Sequence, residues 1–141
     1  MLIGSDNEYI KLKELERIPA TTSGAGDINL EVHIVLQDFS GSYSGIWLET
    51  PAIDKFLRDL IMLEESGNGK AVVSSMSPEE FVLEIRSTEN PNYMEIEVQL
   101  HRYQYSVHGG IKYWPVYLKG GFEVPPETVI QLISCFKSYI T

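Results

Sequence analysis

The stretch Ser42–Gly67, SYSGIWLETPAIDKFLRDLIMLEESG, changes its apolar period halfway along and so sets the class of the fold. Tyr43 to Glu49 reads as a short strand. After Thr50-Pro51, the residues Ile53, Phe56, Leu57, Leu60, Ile61 and Leu63 recur at helical spacing and make one stripe. Thr50 suits the N-cap, because its hydroxyl can accept a free N–H of the first turn. Pro51 suits the first helical position, where no N–H is needed. Gly67 is the expected stop. Asp54/Arg58 and Lys55/Asp59 stand four apart and are placed to pair on the solvent side. Burying each large side chain of such a stripe gains about 1.5–3 kcal/mol. The helix therefore needs a sheet to lie on.

Most of the remaining chain reads as that sheet. Glu8 to Leu15 is a first strand, and residues 19–27 are a loop by composition. Ile28 to Asp38 is the clearest strand. Ile28, Leu30, Val32, Ile34 and Leu36 alternate with a mostly polar set, as in an antiparallel sheet covered on one side. Ser40-Gly41-Ser42 then reads as a hairpin turn. Beyond the helix come strands at Lys70–Met76, Phe81–Arg86 and Tyr93–Ser106. A strand at Lys112–Leu118 contains Pro115, which predicts a sheet edge or a bulge. Gly120-Gly121 reads as a break in it. A second one-sided helix, near 126–139, carries Val129, Leu132, Ile133 and Phe136, with Ile140 continuing its stripe. The sum is a single α+β domain, residues 1–141, with an antiparallel sheet of about six or seven strands and two helices on one face.

Composition narrows the function classes. The chain of 141 residues carries 20 acidic and 11 basic side chains, a formal net charge of −9. That sign disfavours nucleic acid and anionic membranes as partners and favours a basic one. No apolar run approaches a membrane span, and no basic, apolar leader is visible. The single cysteine, Cys135, permits no internal disulfide, which fits a cytoplasmic setting.

No constellation of catalytic residues emerges. His33, His101 and His108 lack the ligand spacing of a metal site, so no metal or cofactor is expected. Cys135 sits inside the last helix beside Phe136 and reads as buried and inert. Glu95 and Glu97 lie about 6–7 Å apart on one strand face, a separation open to acid/base work, but a solvated strand surface is the plainer reading. The sequence predicts no enzyme.

The outward row of the long strand is more informative. Met94, Ile96, Val98 and Leu100 must face the core, so Tyr93, Glu95, Glu97, Gln99, His101, Tyr103 and Tyr105 face away. Tyrosines beside carboxylates suit a protein-binding surface for a basic partner. Glu95, Glu97, His101, Tyr103 and Tyr105, extended by Glu31 and His33, are the candidate binding residues. Equally, such tyrosines could simply pack across strands.

The order of these segments resembles the immunity proteins of the WapI family. The resemblance is carried by Ile28–Ile34 (INLEVHI), Ile46–Thr50 (IWLET) and Phe56–Leu60 (FLRDL), then by Phe81–Ile85 (FVLEI), Ile96–Leu100 (IEVQL) and Phe122–Pro125 (FEVP). It spans nearly the whole chain and implies a small bacterial protein that neutralises a cognate polymorphic toxin domain by stoichiometric binding, with no catalytic residues. Small-molecule binding, self-association or a small enzyme using the open sheet face stay open as alternatives.

Overall fold

The computed structural model describes residues 1–19, 25–77 and 79–140. The elements run β1 (Leu2–Gly4), β2 (Glu8–Arg17), β3 (Ile28–Leu36), β4 (Phe39–Leu48), α1 (Thr50–Ser66), β5 (Lys70–Ser74), β6 (Phe81–Ser87), β7 (Met94–Tyr105), β8 (Tyr113–Val124) and α2 (Thr128–Tyr139). The class is α+β, as the change of period predicts, but among the described residues the strands are eight and form two antiparallel sheets. One has the order β1-β2-β3-β4 and the other β5-β6-β7-β8. Helix α1 separates them in the chain. Strand β1 has only Leu2 and Ile3 as apolar signal, too short for a period, yet Ile3 is buried.

The hairpin between β3 and β4 turns earlier than Ser40-Gly41-Ser42. Leu36 pairs with Phe39, so the turn is Gln37-Asp38, with Gln37 at φ 58°. Gly41 is a strand residue instead. A Cβ there would stand 3.0 Å from Leu118 of β8. Gly120 does not break β8 either, for a Cβ on it would stand 2.8 Å from Leu36 of β3. Both glycines serve close approach between the two sheets, a use that local turn chemistry does not distinguish from a turn. A backbone bond from the Met76 N–H to the Trp47 carbonyl, 2.8 Å, ties the sheets again beyond β5.

The inward rows of both sheets and the stripes of both helices form one hydrophobic cluster. Ile28, Leu30, Val32, Ile34, Ile96, Val98, Phe56, Leu60, Leu132 and Phe136 are all buried in it, as their alternation and spacing require. Phe56 meets Phe136 edge-on at 4.7 Å between centroids, which joins α1 to α2. Ile140 falls past the end of α2 and is exposed.

The start of α1 differs from expectation in an instructive way. Thr50 is the first helical residue rather than the cap, and Glu49 at the N-cap makes no side-chain bond. The free N–H of Thr50 is taken by Asp27, whose Oδ1 accepts it at 2.9 Å, and the Thr50 hydroxyl donates to the Ala25 carbonyl at 2.9 Å. A carboxylate 23 positions away in sequence thus faces the positive end of the helix. At the other end Gly67 adopts φ 69° and donates its N–H to Leu63, the stop its sequence predicts. Lys55 and Asp59 form their ion pair at 2.6 Å.

Candidate partner-binding surface

Strand β7 changes character along its length. From Met94 to Leu100 it pairs with β6 on one side and β8 on the other. The pairing with β6 ends at Phe81↔Leu100, while the pairing with β8 continues to Tyr105↔Tyr113. The last part of the β7–β8 hairpin therefore stands out as a two-stranded arm. Every residue of 102–105 and 111–117 is exposed.

One face of this arm is aromatic. Cross-strand register places His101 opposite Tyr117, Tyr103 opposite Pro115 and Tyr105 opposite Tyr113. The rings touch in series. Tyr117 stacks flat on His101 at 4.0 Å and 6°, Tyr103 meets His101 edge-on at 4.9 Å, and Tyr113 meets Tyr103 edge-on at 5.0 Å. The opposite face carries Arg102, Gln104, Trp114 and Val116, with the Lys112 ammonium 5.1 Å from the Trp114 ring. Tyrosine, tryptophan and arginine are the residues that dominate binding hot spots.

His101 departs from the sequence expectation of a solvated histidine. It lies on the outward side by alternation, yet it is only 5 % exposed because Tyr117 and Tyr103 cover it. Its Nδ1 stands 3.7 Å from the Glu79 carboxylate, and its Nε2 has no hydrogen-bond partner among the described residues. Its role is to anchor the rings at the root of the arm.

A groove of about 700 Å³ runs beside the root, lined by Tyr43, Ser77, Glu79, Glu80 and the arm residues His101, Arg102, Tyr103 and Tyr105. Backbone bonds hold its acidic side. The Ser75 N–H donates to the Phe81 carbonyl at 2.9 Å, and the His101 N–H donates to the Glu80 carbonyl at 2.9 Å. The Glu80 carboxylate, as acceptor for the Tyr43 hydroxyl and as a nearby negative charge, together with burial, pushes the Tyr43 hydroxyl above its ordinary range. Glu79, Glu80, Arg102, Tyr113, Trp114 and Tyr117 were not among the sequence candidates. The available signal was the alternation Tyr113-x-Pro115-x-Tyr117, which mirrors Tyr103-x-Tyr105 across the Gly109-Gly110 turn.

Glu95 and Glu97 share the outward face of β7, but they are not a bare acidic patch. Arg86 of β6 bonds to Glu84 at 2.6 Å, to Glu95 at 3.0 Å and to Glu97 at 3.4 Å, and Lys119 of β8 lies 3.5 Å from Glu97. The bond to Glu84 holds the guanidinium all the more firmly protonated. Three carboxylates around one arginine make a network rather than an isolated pair. Arg86→Gln should therefore destabilise the fold by about 1–2 kcal/mol. Urea unfolding in low salt should show the loss, and molar salt should shrink it.

Glu31 and His33 belong to β3, in the other sheet. Ser44 and Ser42 of β4 bond to them, and the Tyr9 ring lies 5.8 Å from His33. Among the described residues, nothing bonds this pair to the β7 row. The candidate residues thus fall into two groups. Glu95, Glu97, His101, Tyr103 and Tyr105 form one row along β7, while Glu31 and His33 lie apart.

Cys135 is half-buried and donates to the Tyr139 hydroxyl at 3.3 Å. Burial pushes the Cys135 thiol up, and it pushes the Tyr139 hydroxyl up as well. Little thiolate then exists at neutral pH, so alkylation in the folded state should be slow. A raised folded pKa stabilises the fold fully below the unfolded value and loses that contribution as pH rises through the folded one. Stability should accordingly fall above about pH 8.5, where an unfolded cysteine ionises. Thiol labelling against pH, with and without denaturant, checks both points. Among the described residues no cluster of three or more His, Cys, Asp or Glu could hold a metal ion, and no helix is long and apolar enough to cross a membrane. No family model matches the chain, and neither a curated protein nor a solved structure matches it.

Proposed function

We propose that this chain is an immunity-type binding protein that neutralises a cognate, basic toxin domain in the cytoplasm by stoichiometric contact through the β7–β8 arm. One observation carries the reading: the exposed aromatic ladder of Tyr103, Tyr105, Tyr113 and Tyr117, built on a ribbon that projects past its sheet. Exposed rings in such number are a cost to solubility unless a partner covers them. The net charge of −9 supports a cationic partner, and Glu95 and Glu97 continue the outward row along β7. The row from Glu95 to Tyr105 covers about 33 Å, the span of a standard protein interface. The resemblance to the WapI immunity family agrees with this use.

The test is co-expression with the variable C-terminal domain of a large secreted protein encoded beside the gene, followed by purification, and a neighbourhood without one would count against the reading. The reading expects restored growth and a one-to-one complex. Growth arrest unchanged by the protein, with no complex recovered, would refute it.

A further inference from the structure

The arm has two backbone edges, and they differ. On the β8 side, Pro115 has no N–H to offer. Its partner in register is Tyr103. On the β7 side, the His101 N–H points toward β6, where it bonds the Glu80 carbonyl. Strand alternation sends the N–H and C=O of Tyr103 and Tyr105 the same way. Strand β6 has already ended there, since its last pair is Phe81↔Leu100. The N–H that Pro115 lacks would have pointed away from β7, so the proline blocks the outer edge without weakening the hairpin. One edge is closed to strand addition and the other is left open.

The open edge faces the groove. Residues from both faces of β7, Arg102 on one and Tyr103 and Tyr105 on the other, line that space, as they must if it lies beside the strand. At its root stand Glu79 and Glu80 against the single cation Arg102. Glu80 faces the Tyr43 hydroxyl, whereas the Glu79 side chain is 74 % exposed. The groove thus combines strand amides that face no paired strand among the described residues, tyrosine walls and an exposed carboxylate.

We propose that the partner docks by strand addition: an extended, basic segment pairs with the edge of Tyr103 and Tyr105 and sets a lysine or arginine on Glu79. The proposal rests on the arm being the partner surface, and it names the partner's chemistry there. A second copy of this chain is a poorer occupant, because two chains of charge −9 would bring their Glu79 and Glu80 carboxylates together.

The probe is a synthetic eight-residue peptide alternating lysine and valine, compared with its glutamate–valine counterpart. In amide NMR titrations of the full chain, the lysine peptide should shift Tyr103 and Tyr105. It should bind at least about tenfold more tightly than the acidic one. Tyr103→Val keeps the edge N–H while removing the ring, so it is the reference for the proline variant. Tyr103→Pro removes the donor as well, in a φ range a strand accommodates, and should bind at least about tenfold more weakly than Tyr103→Val. Tyr105→Pro is the second case should Tyr103→Pro misfold. Absence of shifts at these amides, equal binding of the two peptides, or equal binding by the valine and proline variants would overturn the proposal. Concentration-dependent dimers with the same amides protected would assign the edge to a second copy instead. No toxin is needed, so failure here is separable from failure of the neutralisation assay. If the parent neutralises the toxin and Tyr103→Pro does so as well as Tyr103→Val, strand addition alone is wrong.

Discussion

Replacing Phe56 by alanine should cost about 3–5 kcal/mol of stability. Phe56 is fully buried, and its ring packs edge-on against Phe136, the main aromatic contact between α1 and α2. The loss combines transfer free energy with a cavity that two helices and two sheets cannot readily close. Since a domain of this size is stable by about 5–15 kcal/mol, Phe56→Ala removes a large share of it. Phe136→Ala should cost about as much. The double variant should cost less than the sum, because the pair shares one contact. Urea titration of the four proteins measures both terms, and a loss below about 1 kcal/mol for Phe56→Ala would contradict the packing described.

The second large effect concerns binding. Tyr103→Ala and Tyr105→Ala should each weaken the toxin complex by about 2 kcal/mol, or about 30-fold, chiefly through faster dissociation. Both side chains are about half exposed or more, at 47 % and 65 %, so the free protein should keep its stability within about 0.5 kcal/mol. Tyr117→Ala should act differently. It uncovers His101, whose ring it stacks on, so it should disturb the free arm as well as the complex. Replacing Glu95 and Glu97 together by lysine should slow association and flatten its salt dependence. It would also place new cations beside Arg86, so some loss of stability should accompany it.

The amphipathic parts of the fold were legible because burial imposes a period. Ile28–Ile34 and Met94–Leu100 alternate, the helix stripes repeat at 3.6, and the structure buries those residues. What misled were residues whose meaning is tertiary. Gly41 and Gly120 mimic turn and break signals while admitting Leu118 and Leu36 of the facing sheet. Asp27 supplies the helix cap that Thr50 was expected to provide, from 23 positions away. The division into two sheets likewise depends on which strands pair, and period alone says nothing of pairing. For the candidate surface, alternation placed Glu95, Glu97, Tyr103 and Tyr105 on the outward row. It could not show that β6 stops at Phe81, and that ending turns the row into an arm with an open edge. Nor could it show Tyr117 lying over His101, since the register of two strands joined by a seven-residue loop depends on the loop itself.

Hydrogen exchange on the protein alone and in complex with the toxin domain tests the central claim most directly. The account predicts new protection at residues 102–105, 113–114 and 116–117, with the amides of residues 31–33 and 42–44 unchanged. Protection confined to the β3–β4 hairpin, with the arm exchanging as fast as before, would contradict it.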